Sequence, residues 1–81
     1  MELFSKVRFQ QAYQIAMAER APKEYRRMMK EKQLKEHIQE VTVEAWGMYQ
    51  ETEKRLREEQ GLGDQARFIA AEIVFAEMIQ F

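Results

Sequence analysis

Residues 33–60 read QLKEHIQEVTVEAWGMYQETEKRLREEQ, a run without proline and with one glycine, Gly47. Leu34, Ile38, Val41, Ala45, Met48, Thr52 and Leu56 recur in it at steps of three and four. At about 100° per residue that spacing keeps them on one side, so the stretch predicts a single long amphipathic helix. Val43, Trp46 and Tyr49 widen the stripe sideways at mid-length. Gly61 stands where a left-handed residue ends a helix. Gly47 costs roughly 1 kcal/mol against alanine inside a helix, which points to a neighbouring backbone approaching closely there.

The rest of the chain must pack on that stripe. The 81 residues hold one proline, three glycines and no cysteine, with 46% hydrophobic and 33% charged residues. Such a composition favours helix over strand and a folded chain over a disordered one. The length suits a single domain near the lower limit for a self-sufficient core. Without cysteine there are no disulfides or thiolate metal sites, in keeping with a reducing cytoplasm. The first residues lack the pattern of a secretory signal, and the apolar run 68–79 is interrupted by Glu72 and Glu77 and is too short to span a bilayer. The expectation is a cytoplasmic protein with no membrane role.

Leu3 to Arg20 predicts a first helix, with Ser5 as a cap if the helix starts one turn later. Its apolar residues fall on two sides: Phe9, Ala12, Tyr13 and Ala16 on one, Leu3, Phe4, Val7, Ile15 and Ala18 on the other. Such a helix is sandwiched between neighbours or used for association, which makes a homodimer through the N-terminal helix an expectation. Leu3, Phe4, Val7 and Phe81 are expected to dock on the domain or to join that interface. Ala21-Pro22 closes the helix and opens a short second one over Lys23–Glu31, with Tyr25, Met28 and Met29 turned inward. Nothing at 31–33 forbids continuation into the long helix, but the length of an unbroken helix favours a break. After Gly61-Leu62-Gly63, Asp64 is the expected cap of a last helix from Gln65 to about Ile79. Ala66, Ile69, Ile73 and Ala76 form its expected stripe, widened by Ala70, Val74, Phe75 and Met78. The short turn makes the last two helices antiparallel, with Ile38, Val41, Ala45, Ile69 and Ile73 buried between them. The expected fold is all-α: three main helices plus a short one.

Chemistry-bearing groups are sparse. His37, Glu40 and Glu44 share a helical face, but no second helix offers a matching acid–histidine pair, so no metal or other cofactor is assigned. Ser5 is the only serine, no phosphate-binding glycine loop occurs, and nothing pairs a nucleophile with a base. The chain is read as a non-enzyme.

Charge is uneven. Lys23, Arg26, Arg27, Lys30, Lys32 and Lys35 face only Glu24 and Glu31 within 23–35, a local excess of +4, although the formal total is −1. Arg26, Arg27, Lys30 and Lys35 are therefore the candidate partner-binding residues, steering the chain toward an acidic protein surface. Nucleic acid is the alternative partner, with Tyr25 available to stack on a base. The opposite ridge, Glu40, Glu44, Glu51 and Glu58, reads either as the wetted side of a surface helix or as a mimic of a phosphate backbone.

From Tyr25 onward the layout resembles the small TnpV-type proteins encoded on bacterial transposons. The likeness lies in the short helix "EYRRMMKEKQL", the long-helix opening "LKEHIQEVTVEAW", a glycine turn and the ending "AAEIVFAEMI". Lys32 stands where the family has a turn glycine, the connection after Gly61 is shorter, and the family's longer N-terminal region has no counterpart. The resemblance implies an accessory protein of a mobile genetic element with no defined biochemical role, and it carries over no functional residue. The chain itself is read as a small accessory or regulatory protein acting by protein–protein binding.

Overall fold

A computed structural model describes residues 4–81. It is all-α, with α1 over Lys6–Arg20, α2 over Pro22–Lys30, α3 over Leu34–Gln60 and α4 over Gln65–Met78. Among the described residues there is no strand. Leu3, expected to open the first helix, lies outside the described residues. The helix starts at Lys6, and the Ser5 hydroxyl accepts from the Arg8 N–H at 3.5 Å.

The break after α2 is real and has a defined geometry. Lys32 adopts φ 59°. The Gln33 N–H donates to the Met28 carbonyl at 2.8 Å and the Lys32 N–H to the Met29 carbonyl at 3.2 Å. This is the paired closure of a Schellman motif, made here with lysine in the left-handed position instead of glycine. Gly61 ends α3 in the same region, at φ 62°.

α4 folds back along α3 and makes the most extensive helix contact, α1 lies on α3, and α2 packs on α1 and touches α3 only lightly. The assembly is drawn out along α3, measuring 46 × 21 × 19 Å. It is held by an aromatic cluster that joins three elements. Phe4, fully buried, stacks on Tyr49 at 4.8 Å and meets Trp46 and Phe75 at 5.8 Å each. Phe9 meets Phe75 edge-on at 5.7 Å. Burying a phenylalanine contributes about 1.5–3 kcal/mol, so Phe4 and Phe9 anchor α1 strongly. Phe4 thus docks as expected. Phe81 is half-exposed, yet its ring edge meets Tyr13 at 5.1 Å.

Several facings differ from those expected. On α1 the buried residues are Phe9, Tyr13 and Met17, while Val7 and Ile15 are each 59% exposed. On α2 Met29 is exposed, leaving Tyr25 and Met28 as the inward residues. On α3 the buried line runs Ile38, Thr42, Ala45, Tyr49, Leu56, with Val41, Met48 and Thr52 moved to its flank. Thr42 enters it because its hydroxyl donates to the Ile38 carbonyl at 2.6 Å, which satisfies the one polar group. On α4 the buried line is Ala66, Ala70, Ala71 and Val74; Ile69 and Ile73 are half-buried and Ala76 is exposed. Alanines let the two backbones approach, and the bulkier isoleucines are turned to the side. Gly47 is exposed, and a Cβ there would meet nothing within 4 Å, so no neighbour requires the glycine. Asp64 makes no side-chain cap; its carboxylate lies 3.9 Å from the Arg57 guanidinium.

Candidate interaction surfaces

The short helix α2 carries the candidate basic residues. Its inward side is Tyr25 and Met28, and Tyr25 is held there by the Gln14 amide, which donates to the phenol oxygen at 3.1 Å. Lys23, Arg26 and Lys30 follow at steps of three and four, project from the opposite side and are exposed. Among the described residues no carboxylate pairs with any of these three side chains.

Arg27 is different. It pairs with Glu24 and, at 3.0 Å, with Glu31, so its charge is spent within α2. Hydrogen bonding from Arg27 holds the Glu24 carboxyl below its ordinary range, and Glu24 in turn raises the Arg27 guanidinium. Both partners are about half exposed, a setting in which such pairs order a helix without stabilising it much. Lys35 stands apart on α3, at the rim of a shallow groove of about 280 Å³ that Gln10, Gln14, Leu34, Ile38 and Gln39 also line. Of the four candidates, then, Arg26 and Lys30 share an open face, which Lys23 completes. Arg27 is internally neutralised, and Lys35 belongs to another surface.

The acidic ridge on α3 is exposed along its length. Glu51 pairs with Arg55 at 3.2 Å, while Glu40 and Glu44 border an open depression around Val43, which is 68% exposed.

His37 does not sit wetted on that ridge. It is half-buried between α1 and α3, with its Nε2 2.8 Å from the Tyr13 hydroxyl oxygen. In the neutral imidazole carrying its proton on Nδ1, the phenol donates to Nε2. Burial, and then the nearby Glu44 carboxylate, raises the Tyr13 phenol above its ordinary 10.0. The pair ties two helices together. Sequence spacing grouped His37 with Glu40 and Glu44 on one helix and missed its partner 24 residues earlier. Among the described residues no three His, Asp or Glu side chains come together as a metal site, and no helix is long and apolar enough to cross a membrane.

Comparison of the chain with protein-family models, with curated proteins and with solved structures finds no match in any of the three.

Proposed function

We propose that this chain is a small binding protein without catalytic activity, and that it engages an acidic surface of a protein partner through the outward face of α2. The observation that carries the reading is the contrast within α2. Arg27 is paired twice within its own helix, whereas Lys23, Arg26 and Lys30 stand together on the open side with no partner in the described chain. Unpaired like charges concentrated on one short helix repel one another in the free protein. A complementary surface relieves that repulsion and draws the chain in from a distance. The reading brings with it the setting that the TnpV-type resemblance implies, an accessory protein of a mobile genetic element.

The test is capture from the native host with tagged protein, followed by affinity measurement on the captured partner. Arg26→Glu with Lys30→Glu should weaken binding by at least ~10-fold while leaving the helical spectrum intact, since both positions are exposed. Equal binding by that variant contradicts the proposal. Loss of binding on reversing Glu40 and Glu44 instead would favour the nucleic-acid-mimicking ridge. A captured nucleic acid, with affinity falling log-linearly in salt, would favour phosphate contact.

A further inference from the structure

The outer side of α1 is built differently from every other exposed helix face in the molecule. Between Phe9 and Ala18 the helix has no charged residue. Its outward line is Val7, Gln11, Gln14 and Ala18, at steps of four, three and four, with Ile15 beside it. Val7 and Ile15 are each 59% exposed. At one end of the line Val7 projects as a knob. At the other, α1 and α2 enclose a groove of about 220 Å³, lined by Gln11, Gln14, Ile15, Ala18 and Tyr25. Ala18 leaves space there, and the Gln14–Tyr25 hydrogen bond fixes one wall.

We propose that this face binds a second copy of the chain, with the two α1 helices antiparallel about a twofold axis. The pattern is self-complementary. With the axis at the midpoint between Ala12 and Tyr13, Val7 of each copy meets Ala18 of the other and enters its α1–α2 groove. The same register sets Gln11 against Gln14 of the second copy, where their amides exchange hydrogen bonds. The charges bordering the line agree with it. Arg8 and Glu19 lie on one flank, about 20° apart around the helix. An antiparallel pair sets that flank against itself. Each Arg8 therefore faces Glu19 of the other copy, offset by about 3 Å along the axis. Both side chains are exposed, and neither has an ion-pair partner among the described residues. A parallel pair would instead set that flank against the opposite one, so Arg8 and Glu19 of the two copies would not meet. The face is about three helical turns long and half polar, which suits a weak dimer with a dissociation constant of roughly 10–100 µM. The basic face of α2 points elsewhere, so this inference stands independently of the proposed partner.

Sedimentation velocity across a concentration series up to about 0.5 mM, a ceiling well above that range, tests it. The natural chain should dimerise. Arg8→Glu and Glu19→Arg should each weaken the dimer at least ~10-fold, and the two together in one chain should restore it. As a second readout, Val7→Cys and Ala18→Cys chains, mixed under mild oxidation, should form the mixed disulfide in preference to either symmetric one. A monomer throughout the series overturns the proposal. So does a dimer indifferent to both reversals, a double variant that stays monomeric, or preferential 7–7 cross-linking.

Discussion

Tyr13 and His37 show how much of this small protein rests on single contacts. Their hydrogen bond is the polar link between α1 and the first turns of α3, at the edge of an otherwise apolar interface. Tyr13→Phe should cost roughly 0.5–1.5 kcal/mol near neutrality, read from the urea midpoint. The raised phenol adds a pH signature. A group with its pKa raised on folding contributes stability that is intact below the unfolded value, here 10.0. That contribution is lost as pH rises through the folded value, because the unfolded chain releases the proton first. Tyr13→Phe should therefore lose less stability than the natural chain as pH rises above about 10. A second residue tests the opposite sign. Gly47 is exposed within α3 and an added Cβ meets nothing. Gly47→Ala should stabilise by about 0.5–1 kcal/mol, visible as a higher Tm. Sequence reasoning assigned that glycine to a close helix contact, because a spacing pattern does not reveal which side of a helix its neighbours occupy.

At the scale of the elements, the helices and their ends were legible from the chain. Ser5, Ala21-Pro22 and Gly61 are local signals, and local signals survive tertiary packing. The facing of α4 was legible only in part: Ala66 is buried as expected, with Ala70 and Val74 beside it, but Ile69 and Ile73 lie on the flank and Ala76 is exposed. Its apolar residues extend nearly all round, so the wheel offers two stripes and only packing chooses. Close approach to α3 selected Ala66, Ala70 and Val74 and left Ile73 on the flank. Met17→Ala, at a site 1% exposed, should therefore cost ~2–5 kcal/mol. Ile73→Ala should cost clearly less, since a half-buried side chain leaves no enclosed cavity. Equal losses in thermal unfolding would restore the stripe expected from sequence. The α2–α3 junction makes a further prediction. Lysine at φ 59° bears a Cβ penalty that glycine escapes. Lys32→Gly should keep the Schellman closure and stabilise by roughly 1 kcal/mol. Among the candidate basic residues, the spacing placed Arg26, Arg27 and Lys30 on one short helix but could not separate Arg26 and Lys30 from the ion-paired Arg27. That separation depends on which carboxylates reach which guanidinium.

Over the whole molecule, the charge map and the shape act together. The basic helix α2 and the acidic ridge of α3 occupy different surfaces, while the uncharged face of α1 lies open as a third. The surfaces of α1 and α3 are held relative to each other by the aromatic cluster of Phe4, Phe9, Trp46, Tyr49 and Phe75, which joins α1, α3 and α4 within the single chain. Lys6, with its Nζ 5.3 Å from the Trp46 ring centre, covers the outer side of the cluster. The most direct test is amide hydrogen exchange on dilute protein, below the concentration at which the proposed dimer would form. If the cluster holds α1 within the monomer, the amides of residues 10–17 should be protected to the same level as those at the middle of α3, because both open only on global unfolding. Fast exchange throughout α1, with α3 and α4 still protected, would contradict the account and show that the cluster does not anchor the first helix.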